Sequence, residues 1–163
     1  MELKNLNLEG ADINHMFRLM FDNSPDYLLI VDPEMRILRA NNLVAKKIGL
    51  ENSGELEGRK CSEILEESCV SMFQNHIGRI DSLKKISKFV KRGIFLEGSK
   101  NEWYEVSVCP LNDDYGRPGM ITLHIRDITS EKELEAKLAE QNERLWHSLA
   151  DFKASFYYGP NIH

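Results

Sequence analysis

Three cysteines, five prolines and two tryptophans are few for 163 residues. The odd number of cysteines (Cys61, Cys69, Cys109) argues against a disulfide framework, and reduced thiols fit the cytoplasm. No apolar run approaches the roughly 18 residues of a membrane span. The longest is Tyr27–Val31. The opening residues, MELKNLNLEGAD, lack the apolar centre of a secretory leader. These absences predict a cytoplasmic chain with no membrane partner. A net charge of −5 argues against a nucleic-acid binder, which usually carries a basic patch. The cluster Lys84, Lys85, Lys88, Lys91 and Arg92 is read instead as a strand edge protected by lysines. Catalytic triads, phosphate loops and paired acidic motifs are also missing, so no enzymatic activity is expected.

What is present is strong periodicity. Ile13, Met16, Phe17, Met20 and Phe21 recur on one helical face, with Asp12 as the expected N-cap. Residues 27–41 read as a hairpin turning at Asp32-Pro33-Glu34. A short helix follows over 41–50, capped by Asn41 or Asn42 and ended by Gly49. Residues 61–85 are predicted to be mostly helical, with Met72, Phe73, His76, Ile77 and Ile80 on one face. Strands are predicted over 86–98, 101–111 and 120–128. In the second of these, Tyr104, Val106 and Val108 oppose Trp103, Glu105, Ser107 and Cys109; in the third, Ile121, Leu123 and Ile125 oppose Thr122, His124 and Arg126. Strands at both ends with helices between predict an α+β domain built on an antiparallel sheet.

The last strand runs into a charged helix with neither Gly nor Pro at the join. Ser130 and Glu133 match a capping box, and Glu133–Lys137 and Glu140–Arg144 are favourable i,i+4 pairs. A heptad frame places Leu134, Gln141 and Ser148 at d and Leu138, Leu145 and Phe152 at a. The two polar d positions suit a weak, parallel, adjustable pairing.

Four stretches in order carry a family likeness: DYLLIVDPEMRILRANNLVAKKIGL, LEGRKCSEIL, NEWYEVSVCPLNDDYGRPGMITLHIRDIT, and within the last the closing DIT of 127–129. Together they resemble a PAS domain, the small sensory module of bacterial kinases and transcription regulators. The likeness covers about residues 15–130. It implies a five-stranded antiparallel sheet covered by short helices over residues 25–129, a cap helix over 1–24, and a signalling helix and tail over 130–163. It also implies a ligand pocket between sheet and helices, dimerisation through flanking helices, and a downstream kinase or transcription regulator. The family hosts haem, flavins, small acids, metals or nothing, so the ligand stays open.

Facing arguments place Ile30, Leu43, Ile64, Met72, Phe73, His76, Ile77, Tyr104, Val106, Ile121 and Leu123 around that pocket. Haem-binding members take their iron ligand from the helix that holds His76, which makes His76 the haem candidate. GRKCSEILEESC is similar to a cysteine-bearing subgroup, but Ser71 and Met72 stand where further cysteines would be needed for a four-ligand site. The reactive-cysteine run of photochemical members is missing. His147 lies where a kinase would carry its phosphoacceptor, without the flanking residues one needs. Three readings follow: a ligand-binding sensor that relays through its last helix, a constitutive dimerisation module with a filled pocket, and a haem or redox sensor using His76 or the cysteines. The dimer is expected through Ile13–Phe21, Leu134–Phe152, or both.

Overall fold

A computed structural model describes residues 10–80, 86–96, 100–112, 115 and 118–157. It holds α1 (Gly10–Asp22), β1 (Tyr27–Val31), β2 (Ile37–Ala40), α2 (Asn42–Lys47), α3 (Glu67–Ile80), β3 (Ser87–Arg92), β4 (Trp103–Asn112), β5 (Pro118–Asp127) and α4 (Thr129–Tyr157). Two 3₁₀ turns, Ser53–Leu56 and Cys61–Glu63, precede α3. The five strands form one antiparallel sheet in the order β2-β1-β5-β4-β3, so the chain's first and last strands meet at its centre. Two compact units result, one ending at Asp127 and the other beginning at Ile128.

The β1–β2 hairpin turns on Asp32, whose carboxylate accepts from the Glu34 and Arg36 amides at 3.0 and 2.8 Å. Met35 takes a φ of +66° there. A left-handed residue with a Cβ costs energy, and burial of the Met35 side chain in the core offsets it. Asn41 rather than Asn42 caps α2. Its side-chain oxygen accepts from Val44 N and Leu28 N, both at 3.3 Å, while its amide donates to the Asp26 carbonyl at 2.8 Å. One fully buried side chain thereby joins α2 to the start of β1, and every polar atom it buries is used.

Alternation along the strands sends Leu29, Val31, Tyr104, Val106, Val108, Ile121, Leu123 and Ile125 to one face, where α2, the 3₁₀ turns and α3 complete the core. Leu56, Leu65, Phe73 and Phe95 close it from the helical side. Each such side chain contributes about 1.5–3 kcal/mol through removal from water. The opposite face carries Leu28, Ile30, Thr122 and His124, which line a cleft with Phe17 and Phe21 of α1. Phe21 is buried there, and the Arg39 guanidinium lies 5.9 and 5.2 Å from the Phe17 and Phe21 ring centres.

Several boundaries differ from the sequence expectation. α1 begins at Gly10, which places Asp12 inside its first turn and not at the cap. Helix does not run from residue 61, because the backbone of 64–66 is spent on a short ladder: Glu66 N donates to Ile94 O at 2.8 Å and Leu96 N to Ile64 O at 3.1 Å. β3 stops at Arg92, where Gly93 adopts φ +72° and turns the chain. α4 starts at Thr129, with Lys132 N donating to Ile128 O at 2.9 Å, so Ser130 occupies the first turn instead of the N-cap. Residues 81–85 of the expected helix, including Lys84 and Lys85, and residues 113–114 and 116–117 of the 112–119 turn lie outside the described residues.

Candidate functional site

The helical side of the sheet is the candidate site. Of the residues expected there, Ile64, Phe73, Tyr104, Val106, Ile121 and Leu123 are brought together in one buried cluster. Leu43 and Met72 are half-buried at the margin. Ile77 is in α3, but its side chain lies outside the described residues. Ile30 is a correction. It pairs with Thr122 and lines the cleft beneath Phe17 and Phe21, on the opposite face from Leu123. The strand's inward residues are Leu29 and Val31; a run apolar at every position hides its own facing.

Aromatic rings fill the middle of the site. Tyr27, Phe95 and Tyr104 pack with centroids 4.9–6.1 Å apart, and Phe73 lies 5.7 Å from Phe89. His76 stacks on Phe89 at 4.9 Å, nearly parallel, and its Nδ1 is hydrogen-bonded to the Ser87 hydroxyl. The imidazole thus joins α3 to β3.

A cavity of about 190 Å³ opens beside this cluster, lined by Ile48, Leu50, Arg59, Glu63, Ile64 and Leu96. Only Ile64 was expected at a pocket. The others lie on loops and turns, where no period marks them. The cavity exists because the Ile64–Leu96 ladder holds the segment after β3 against the 3₁₀ turn. Its walls are mixed: Ile48, Leu50, Ile64 and Leu96 are apolar, while Arg59 and Glu63 add a guanidinium and a carboxylate, an arrangement that suits a small molecule with a polar end.

At the start of β4 a polar group of side chains closes the sheet. Lys47 Nζ lies 2.8 Å from Glu102 Oε2, and the Tyr104 hydroxyl donates to the same carboxylate. Tyr104 pairs across the ladder with Asp127, the last residue of β5. Burial, then the bond to Glu102 and the nearby negative charges, push the Tyr104 phenol up; burial likewise raises Tyr27. Burial alone would lower the Lys47 ammonium, but Glu102, Tyr27 and Asp127 outweigh it and raise it.

The cysteines are free. Burial pushes both Cys61 and Cys69 up to about 12, which keeps them as thiols at neutral pH. Among the described residues no group of three or more His, Cys, Asp or Glu is placed to hold a metal ion.

Residues 21–133 match the profile of the PAS fold. The chain belongs to the PAS family. Solved structures agree on the fold. The PAS domain of an HTR-like protein from Haloarcula marismortui is 22% identical, with a TM-score of 0.57, over 72% of this chain and 93% of that one. A PAS domain from Colwellia psychrerythraea is 15% identical, with a TM-score of 0.60, over 73% and 99%. The VqmA dimer of Vibrio cholerae, a DNA-binding receptor, is 18% identical, with a TM-score of 0.59, over 73% of this chain and 52% of VqmA. This PAS chain therefore spans about half of VqmA. A search of curated proteins finds no match. Among the described residues no helix is long and apolar enough to cross a membrane.

Proposed function

We propose that this PAS domain is a non-catalytic sensory module. A small ligand binds on the helical side of the sheet, and its state passes through α4 to a kinase or transcription regulator. The observation that carries this reading is the path of β5. Ile121, Leu123 and Ile125 belong to the buried cluster, and a single residue, Ile128, separates their strand from α4. A displacement of β5 is therefore transmitted along the chain to the start of that helix. The 190 Å³ cavity offers the entry, with Arg59 and Glu63 available to a polar end group. VqmA, similar in fold, is known in a form bound to DPO.

The module acts as a homodimer in this reading, through the exposed faces of α1 and α4. Ile13, Met16, Phe17 and Met20 on α1 are all close to half exposed or more. A second reading, a dimerisation module with no ligand, is favoured by one observation: the rings of Tyr27, Phe95 and Tyr104 already occupy the centre of the site. The haem and redox reading is weaker on the same grounds. His76 is engaged by Ser87 and Phe89, and two of the three thiols are held protonated.

Absorbance and mass spectrometry of small molecules extracted from freshly purified protein separate the three. A retained metabolite whose release shifts the melting temperature is the expected result. A Soret band would replace this reading with the haem sensor. No retained molecule, with no thermal shift from a metabolite library, would leave the dimerisation module.

A further inference from the structure

Two opposite charges line the cavity beside Ile64 without satisfying each other. Among the described residues the Arg59 guanidinium has no hydrogen-bond or ion-pair partner, and Glu63 is bonded through one oxygen, Oε2, to the Lys60 amide at 3.0 Å. The second oxygen of Glu63 is left over. The backbone beneath both charges is fixed. Arg59 N donates to Leu56 O at 3.2 Å and Arg59 O accepts from Ile37 N at 2.8 Å, which ties the residue to β2. The Lys60 amide orients the Glu63 carboxylate. The apolar walls are held as well: Leu50 N donates to Ala45 O at 2.8 Å, and Leu96 N to Ile64 O at 3.1 Å.

We propose that this cavity binds a small zwitterion, an α-amino acid with an aliphatic side chain. Its carboxylate meets Arg59, its ammonium meets the second oxygen of Glu63, and its side chain lies among Ile48, Leu50, Ile64 and Leu96. Charge selects the class. A plain carboxylic acid would gain Arg59 but set a second negative charge against Glu63. A plain amine would gain Glu63 but meet the guanidinium. A ligand that carries both signs a few bonds apart satisfies both walls, so each wall also rejects the wrong ligand. Volume sets the size. A cavity of about 150 Å³ can hold benzene, so 190 Å³ admits a molecule a few atoms larger. That is below the roughly 300 Å³ at which drug-sized sites begin, and haem and flavins do not fit. The four apolar walls are branched aliphatic residues, which suits a branched aliphatic side chain. This assignment rests on the reading of the cavity as a ligand site and names what that site takes.

Calorimetry on the full chain tests it with three probes: L-leucine, isocaproate, which lacks only the ammonium, and isoamylamine, which lacks only the carboxylate. Leucine is expected to bind, with both analogues at least about tenfold weaker. Glu63→Gln keeps an acceptor for the Lys60 amide and removes the charge. It should weaken leucine and strengthen isocaproate, each by at least about threefold. Arg59→Gln should weaken leucine and strengthen isoamylamine in the same way. A gain of affinity cannot come from misfolding. No binding of leucine, an analogue that binds as tightly as leucine, or variants that leave the discrimination unchanged would each overturn the proposal. If leucine fails but an extracted metabolite of another class binds, the zwitterion assignment falls and the sensory reading stands. If leucine binds as expected but hydrogen exchange at the start of α4 is unchanged, the site stands and the relay falls.

Discussion

α1 and α4 both carry a stripe of large apolar side chains; among the described residues α1 buries Phe21 and α4 buries none. Phe21 is buried against the sheet, Phe17 stacks on it at 5.7 Å, and Arg39 covers both rings while reaching Asp22 at 3.8 Å. On α4 the ion pairs Lys132–Glu135 and Arg144–Glu140 hold the helix to itself. Exposed pairs of that kind contribute only about 0.3–0.5 kcal/mol. Periodicity is present in both helices and stronger in α1, and in each it announces a face that needs a partner without saying whether the partner lies in the same chain. The contrast predicts that substitutions on the sheet and on α1 change folding, while those on α4 change association.

The largest effect is expected at the sheet itself. Leu123→Arg places an unpaired charge in a fully closed core and should cost more than about 4 kcal/mol, leaving the domain unfolded in thermal melts. A folded variant would show that the inner face has been misassigned. Alkali attacks the same face more gradually. Cys61 and Cys69 stand near 9 in the unfolded chain and are raised to about 12 in the folded one. The unfolded state then loses its thiol protons first. Stability should be level up to about pH 9 and fall toward pH 12, by about 1.4 kcal/mol per pH unit for each thiol. Urea titrations across that range would measure the slope, and Cys61→Ala should roughly halve the thiol part.

The comparison between the helices is sharpened by matched truncations. Phe21→Ala should lower domain stability by about 2–3 kcal/mol, since it removes a buried ring and its cation–π partner. Phe152→Ala should change it by less than about 0.5 kcal/mol. Equal losses in urea unfolding would erase the distinction. Leu138→Glu with Leu145→Glu should weaken self-association at least tenfold, about 1.4 kcal/mol, with the sheet's melting unchanged. Sedimentation would read this directly, and an unchanged dimer would move the interface to the exposed face of α1.

Much of the fold was legible because period-two and period-3.6 patterns are local properties. The alternation in β4 and β5 put Tyr104, Val106, Ile121 and Leu123 on the buried face, and the N-cap expected at Ser130 lies within one turn of the observed start at Thr129. The site was less legible. The facing of Ile30 could not be read in a run apolar at every position, and Ile48, Leu50, Arg59, Glu63 and Leu96 converge from turns with no period.

The residues alone determined the order of elements, the alternating faces of β4 and β5, and the stripe of α4, because each depends on spacing along one segment. Only the tertiary structure decided which face of the sheet is covered by α2 and α3, that Asn41 ties α2 to β1, that His76 is spent on Ser87 and Phe89, and where the cavity opens. The physical reason is that these contacts join segments far apart in the chain. Their partners are selected by the packing of the whole sheet, which no single stretch of sequence contains.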